Sequence, residues 1–475
     1  MVKRPAHLLL LLPFLLLHLP SAMAAPGQQV EFSAAWERLL AASDTLAAAE
    51  SGLEQARGKR QAAGDLYLPE IEASANYLHL DDEVTLSPND LLASTAGGDR
   101  LAPMLDGLAR SSGLSAAYLD SLLTATVAEQ RQRSVAVHGN WPLYAGGRID
   151  AMQKIAGAAE KEARIGVEAT RREQFITLAT YYFATALADQ SLDIRKRSEQ
   201  SLETHFDHAL RLEKEGQIAR VERLRAEAAR DKAVVERRKA ERDLEIAAIA
   251  LGRLLKSDTP LYAAESPAIN RTLPPLPDLL TATVDGGPQL ATLAAREEQA
   301  TGLAAVEKGR YLPSIALVGS YNIYEEDDLT GKLMPDWLVG IGLKMPLLDR
   351  SGRGGNLAAA ESLVRRIGHL REQTASDLTV LVEKTHRLAA QAKEEYHGLE
   401  SSLRLAEETV ALRHKAFAQG LGTSLDVVDA ELFLAGVRLQ RSLAAHAYVT
   451  NLARLLAGAG QIDLYLSSSE QHEAR

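Results

Sequence analysis

The sequence predicts an α+β fold that is built twice, with two β-strands and one long hairpin of α-helices in each half. Three observations predict this fold. A short segment occurs twice along the chain, apolar and polar side chains alternate within and after that segment, and residues 143–259 and 347–475 contain no proline. Alternation with a period of two is typical of strands, whereas long stretches without proline allow long helices.

The duplication is visible in several matched segments. The sequence YLPEIEASANY at 67–77 returns as YLPSIALVGSY at 311–321, and the helical stretches before them align with the same offset of 244 residues. Farther along, EGQIARVERLRAE matches QGLGTSLDVVDAE, with Gly216 and Gly420 separated by 204 residues. The offset falls because the first half has a longer segment between its two strands. The chain therefore contains two equivalent halves.

Four segments show the alternation expected of strands, each with one apolar and one polar face. Each has about 10 residues, which is the length that crosses a bilayer when a strand is tilted. An ordinary sheet on a soluble core would show the same alternation, so the strands alone leave both interpretations open. The predicted strands cover residues of about 70–80, 134–142, 314–324 and 337–346.

The proline-free stretches predict two antiparallel helical hairpins with apolar stripes and charged outer faces. The first covers 147–257 with its turn near Gly216, and the second covers 353–460 with its turn near Gly420. Residues 258–290 contain six prolines and are predicted to be a linker between the halves.

The domain organisation follows from these elements. Residues 1–24 are predicted to be a secretory signal peptide, because Lys3 and Arg4 precede an apolar run and small residues end it. The run is too short for a membrane anchor, and no other segment reaches 18 apolar residues. The first repeat then covers 25–257, the second covers 291–462, and residues 463–475 form a C-terminal tail.

Composition excludes several classes of function. The net charge of −10 gives no reason to expect a nucleic-acid partner, and the absence of cysteine excludes disulfides and a lipid-modified N-terminal cysteine. No nucleophile–base pair, phosphate-binding loop or metal signature occurs, so we expect neither an enzyme nor a cofactor nor a metal site. His205, Asp207 and His208 could chelate a metal, but a solvated helix face is the favoured interpretation.

If the strands cross a bilayer, several chains must combine them, because four strands cannot close a barrel and open edges are not tolerated in hydrocarbon. Prolines and glycines at the ends of the strands are expected to mark the transitions between strand and helix. These residues are Pro69, Pro142, Gly146, Gly147, Pro313, Pro346 and Gly352.

The repeated YLP segments, the sequences PLYAGGR and PLLDRSGR after the second strands, and GLGTSLDVVDAE together resemble the TolC-like outer-membrane channel family (outer membrane efflux proteins). The resemblance covers nearly the whole chain after the signal peptide. It implies a homotrimer with a twelve-stranded β-barrel, four strands from each protomer, in the outer-membrane lipid of a Gram-negative cell. The barrel would continue into an α-helical coiled-coil tunnel in the periplasm. Such a channel is the exit duct of a tripartite efflux pump or a type I secretion system.

The resemblance also implies partners and site residues. A periplasmic adaptor and an inner-membrane transporter, of the efflux or ABC type, would be the partners. Asp426 and Asp429 would form the pore constriction at the periplasmic entrance, with Glu222 at the matching position of the first half. The turns would dock the adaptor through Gly216, Gly420, Gly422, Thr423 and Ser424.

Two alternatives remain open at this point. An acid in the first turn of a helix is favoured by the helix dipole alone, which would explain Asp426 without a gate. Gly422 stands where the family's prototype has a basic residue that pairs with these carboxylates, and Arg220 or Arg223 would have to replace it. A soluble periplasmic coiled-coil adaptor protein is the alternative for the whole chain, because it shares the long helical hairpins.

Overall fold

A computed structural model describes residues 28–95, 98–267, 269, 271–325, 335–348 and 350–470. The predicted signal peptide lies outside the described residues, as do residues 471–475 of the predicted tail. In chain order the described elements are β1 (Gln28–Val30), α1 (Phe32–Ala42), α2 (Asp44–Gly64), β2 (Glu70–His79), β3 (Val84–Leu86), α3 (Pro88–Ser94), α4 (Gly98–Ser112), α5 (Ala116–Leu123), β4 (Ala125–Ala128), β5 (Arg131–Tyr144), α6 (Arg148–Lys214), α7 (Arg220–Leu254), β6 (Leu261–Ala263), α8 (Leu276–Gly286), α9 (Pro288–Gly309), β7 (Ser314–Glu325), β8 (Trp337–Lys344), α10 (Arg353–Gly398), α11 (Glu400–Ala418), α12 (Ser424–Gly458) and α13 (Ile462–Glu470).

The chain divides into two compact units. One unit, here called the sheet unit, contains residues 47–169 and 288–377. The other, here called the hairpin unit, contains described residues 28–46, 170–287 and 378–470.

The sheet unit is built around an antiparallel sheet with the strand order β2–β5–β7–β8. Direct cross-strand partners lie on one face of a sheet. Ala73 pairs with Val137, Val137 with Tyr321, and Tyr321 with Trp337, so these apolar side chains form one row across all four strands. The opposite face carries polar side chains such as Ser74 and His138. The register therefore separates an apolar face from a more polar one.

Helices of the sheet unit are joined by ion pairs and by close packing at a glycine. Glu160 on α6 has only 7% of its side chain exposed, and it lies 2.6 Å from Arg60 on α2 and 2.8 Å from Arg164. A Cβ atom added to Gly302 on α9 would lie 2.5 Å from the side chain of Ile155, so glycine allows α9 and α6 to approach.

The longer segment between the first two strands forms a small folded insert rather than an open loop. It contains β3 paired with β4 and the helices α3, α4 and α5. Ser87 and Asp90 form a capping box at the start of α3, which fixes where that helix begins.

The hairpin unit has an aromatic core. Phe32, Phe175, Tyr182 and Tyr465 are fully buried, and the ring of Phe32 packs edge-on against Phe175 at 5.6 Å between centroids. The hydroxyl of Tyr182 donates to the carbonyl of Val30 at 3.0 Å. These contacts fix β1, α1 and α13 to the long helices.

Three predicted boundaries differ from the structure. The predicted linker at 258–290 is structured, because its residues form β6, which pairs in parallel with β1, and helix α8. The predicted tail contains α13 up to residue 470, and its Tyr465 is buried in the aromatic core. Pro142 lies inside β5, where the pairing with β7 is irregular, and not at the transition from strand to helix.

None of the helices in the described part of the chain combines enough length with enough apolar character to cross a membrane.

Candidate functional site: the tips of the two helical hairpins

The two hairpin turns have the same local structure. Gly216 and Gly420 have positive φ angles of 74° and 70°, which glycine adopts without a steric penalty. After each glycine the next amide donates back to the preceding helix, from Gln217 to Leu212 at 2.8 Å and from Leu421 to Ala416 at 2.9 Å. The turns therefore end α6 and α11 with the same hydrogen-bonded motif.

Helix α12 begins with a capping box made by Thr423 and Asp426. The carboxylate of Asp426 accepts from the backbone amide of Thr423 at 2.9 Å, and the hydroxyl of Thr423 accepts from the amide of Asp426 at 3.3 Å. The hydrogen bonds from Thr423, with a smaller contribution from Arg413 at 3.6 Å, lower the pKa of Asp426 below its ordinary value. Asp426 thus carries out the capping role that the first turn of a helix favours, and Asp429 is exposed one turn later.

Ser424, the first residue of α12, is fully buried and connects the two hairpins. Its backbone amide donates to the carboxylate of Glu222 on α7 at 2.7 Å, and its hydroxyl lies 2.7 Å from Nε2 of His205 on α6. Glu222 also forms an ion pair with Arg225 at 2.9 Å. Both side chains that reach Ser424 come from the first hairpin, whereas Ser424 belongs to the second.

A buried polar cluster lies behind these contacts. It consists of His205 and Ser201 on α6, His414 on α11, and Ser424 and Glu431 on α12. Nε2 of His414 lies 2.9 Å from Glu431, and the hydroxyl of Ser201 donates to the same carboxylate. His205 is fully buried, and Glu431 is 4% exposed.

The environment of His205 disfavours its charged form. Burial, and to a lesser extent the nearby rings of His414 and His208, lower the pKa of His205 to about 4, although the charge of Glu431 acts in the opposite direction. The ring of Phe417 packs against His205 at 4.5 Å between centroids. The solvated helix face that the sequence favoured for this histidine is therefore wrong.

Apolar residues complete the packing of the two tips. Ala209, Ala226, Phe417 and Val427 form one buried cluster with contributions from both hairpins. A Cβ atom on Gly422 would lie 3.4 Å from Ala416, so the site holds a small residue closely.

The basic residues near the tip do not have the roles expected from the sequence. Arg223 is engaged within the first hairpin, where it pairs with Glu213 at 2.7 Å and with Glu227. The structure pairs Asp426 with Arg413 at 3.6 Å, and no sequence motif singles out Arg413. The structure therefore brings together Glu222, Thr423, Ser424 and Asp426 and leaves Asp429 exposed.

The predicted transition residues belong to the sheet unit. Pro69 and Pro313 directly precede β2 and β7, and Pro346 follows β8. A Cβ atom on Gly146 would lie 2.5 Å from the carbonyl oxygen of Gly309, so this turn requires glycine at that position. Sequence analysis missed Gly309, which matches no repeated motif. Positive φ angles occur at Gly146, Gly147 and Gly352.

No group of histidine and acidic side chains in the described ranges is arranged to hold a metal ion. Asp207 is exposed on α6, whereas His205 is buried. The pair of histidines in the HFDH segment therefore does not form a chelating site in this structure.

Comparison with known proteins defines the class of molecule. The sequence profile of the outer membrane efflux proteins matches residues 35–256 and 280–461, which correspond to the two halves. No curated protein matches the sequence at a significant level.

Solved structures show the same fold at low sequence identity. A membrane protein from Pseudomonas aeruginosa has a TM-score of 0.72 and 16% identity, with 91% of each chain covered. The CmeC outer membrane channel of Campylobacter jejuni has a TM-score of 0.71 and 14% identity, covering 92% of this chain and 88% of that one. The outer membrane protein VceC of Vibrio cholerae has a TM-score of 0.70 and 15% identity, covering 91% and 96%.

These matches define a duplicated channel fold in which strands and long helices combine. The chain belongs to the outer membrane efflux protein family. It is an outer-membrane export channel that extends into the periplasm, and it is not an enzyme. The predicted family, fold class, function and location are confirmed, and the soluble adaptor alternative has no support.

Proposed function

We propose that three copies of this chain form the exit duct of a tripartite export system, with a periplasmic adaptor and an inner-membrane transporter as partners. The observation that carries the proposal is the sheet register, which places apolar side chains from all four strands on one face. In the single chain, Ile71, Trp337 and Ile341 on that face are each more than 60% exposed. Such a face is suited to lipid.

The edges of the sheet support a trimer. In the described residues β2 and β8 are the edge strands, and each exposes unpaired backbone groups. Because successive strands are antiparallel, the two edges run in opposite directions. The β8 edge of one copy can therefore pair antiparallel with the β2 edge of the next, and three copies give a closed barrel of twelve strands.

In the hairpin unit, the proposal assigns the tips to the tunnel entrance and the adaptor contact. Asp429 is exposed and would supply a ring of three carboxylates, whose side chains would narrow the entrance and whose charges would attract cations into it. Asp426 and Glu222 would contribute to the ring less directly, because their carboxylates cap α12. The exposed tip residues Gly216, Gly420 and Thr423 are assigned to adaptor docking with Gly422, whereas buried Ser424 holds the tip together from within.

The gate is tested by conductance in planar bilayers. We expect Asp429→Asn to weaken block by divalent cations and so to raise single-channel conductance in their presence, because it removes the three charges that hold those cations without removing the cap of α12. Combining Asp426→Ala with Asp429→Ala should increase both effects. Asp243→Asn, an exposed change on α7, is the control.

Unchanged conductance and cation block in both tip variants would remove the gate assignment.

Crosslinking in intact cells, followed by purification of the channel, tests the partners. Recovery of no adaptor or transporter would contradict a tripartite assembly.

A further inference from the structure

The buried polar cluster at the tip has no place in capping, and the carboxylate ring does not use it. It extends from Ser424, the first residue of α12, to Glu431 two helical turns later, and it joins α6 of the first hairpin to α11 and α12 of the second. Three hydrogen bonds between described residues of this cluster cross between the hairpins: His205 with Ser424, Ser201 with Glu431, and Ser201 with His414. Separation of the tips would break all three.

We propose that His205, together with Ser424, His414 and Glu431, forms a proton-sensitive latch that holds the two hairpin tips together and releases them in acid. The proposal rests on the assignment of the tips to the tunnel entrance. It adds a regulatory input, the periplasmic proton concentration, to that site.

The hydrogen bonds of His205 explain why a proton would release the latch. Nε2 of His205 is bonded to the hydroxyl of Ser424, whereas Nδ1 has no hydrogen-bond partner among the described residues. A neutral ring fits this arrangement better, because it leaves only the lone pair of Nδ1 without a partner. A protonated ring would carry a buried charge and an N–H donor with no acceptor, and both are unfavourable away from water.

Charged groups around His205 come from every element packed at the tip. His208 shares α6 with it, His414 faces it from α11 at 5.9 Å between ring centroids, and Glu431 faces it from α12. Glu222 on α7 holds the amide of Ser424. The two histidines oppose a charge on His205, and Glu431 favours it. The net result is that the closed tip prefers neutral His205.

The direction of the pH effect follows from linkage. When the tips separate, His205 meets water and regains an ordinary pKa of about 6.5. The closed tip therefore has its full stability above that value and loses it as pH falls toward about 4. With these two pKa values, the equilibrium constant for opening is about fourfold larger at pH 6 and about 30-fold larger at pH 5 than it is well above pH 6.5.

The distance between the tips tests the latch independently of ion flow. The chain has no cysteine, so spin labels can be attached at Gln217→Cys and Leu421→Cys, two exposed tip positions on the two hairpins. Labelled chains are diluted with unlabelled ones in the assembled channel, so that double electron–electron resonance spectroscopy reports the distance between the two labels of one chain. We expect a longer-distance population to grow between pH 7.5 and 5.

Three variants separate the latch from general acid effects. His205→Gln can keep a hydrogen bond to Ser424 without titrating, so the growth with acid should disappear. Glu431→Gln removes the charge that favours protonated His205 in the closed tip, so the acid response should persist between pH 7.5 and 5 and continue to lower pH. His208→Gln, on the same helix, should retain most of the response.

A wild-type distance that does not change down to pH 5, or an acid response that survives His205→Gln, would overturn the latch. If His205→Gln does not assemble, an acid response that disappears in Glu431→Gln would overturn it equally, because the titrating group would then be Glu431 and not His205. Failure of the gate would appear instead as unchanged conductance in Asp429→Asn, whatever the tip distances show.

Discussion

Replacement of Glu222 by alanine should loosen the start of α12. The carboxylate of Glu222 accepts from the amide of Ser424, a residue with no exposed surface, so alanine leaves a buried N–H group without its acceptor. An unsatisfied buried donor costs about 1–3 kcal/mol. Because about 1.4 kcal/mol is a factor of ten, local opening of this tip should increase about 5- to 150-fold.

Hydrogen exchange of the purified channel measures this opening directly. We expect faster exchange in peptides covering the first two turns of α12 in Glu222→Ala, with little change in the middle of the helix. Glu222→Gln retains an acceptor oxygen and should lie between the variant and the wild type. Glu215→Ala is the matched control, because Glu215 is exposed at the same tip.

Equal exchange in Glu222→Ala, Glu222→Gln and the wild type would refute this reasoning. It would mean that the bond between Glu222 and Ser424 does not hold the second hairpin, and that Glu222 is free to act only as a pore carboxylate.

Three further predictions concern other parts of the chain. Gly146→Ala places a Cβ atom 2.5 Å from the carbonyl of Gly309, so the yield of heat-modifiable oligomer on gels should fall, whereas Gly157→Ala, with open space around it, should not change the yield. Phe32→Ala removes a fully buried ring and should lower the free energy of unfolding by about 3–5 kcal/mol, seen as a lower Tm, unlike exposed Leu421→Ala. The hydrogen bond from Arg60 lowers the pKa of Glu160. The ion pair between Glu160 and Arg60 therefore holds α2 at neutral pH, and its contribution is lost as pH falls through that lowered pKa. Glu160→Gln should make α2 more susceptible to protease at pH 7, with a smaller difference from the wild type in strong acid.

The repeated segments made most of the fold predictable. The alternation behind each YLP motif and the long stretches without proline depend on local sequence, and β2, β7 and the long helices follow from them. Elements that depend on distant partners were missed. β6 has three residues and forms because β1 lies beside it, and α13 is fixed by the burial of Tyr465 in a core of other segments.

The tip shows the same division between local and distant information. The turns at Gly216 and Gly420 and the acid in the first turn of α12 are local, and the sequence indicated them, whereas the capping box that Asp426 makes with Thr423 was not recognised. The burial of His205 depends on α11 and α12, more than two hundred residues away, so no pattern around HFDH reveals it. The pairing of Asp426 with Arg413 has the same origin, because the two residues lie on different helices of one hairpin.

Disulfide crosslinking in outer membranes can show whether three chains share one barrel through their edge strands. Within one sheet β2 and β8 are separated by two strands, or about 14 Å, which is beyond the reach of a disulfide. Cysteine at Ala73 on β2, combined in turn with single cysteines along β8, should give covalent dimers and trimers at one register. Only monomers at every register of β8 would contradict the shared barrel.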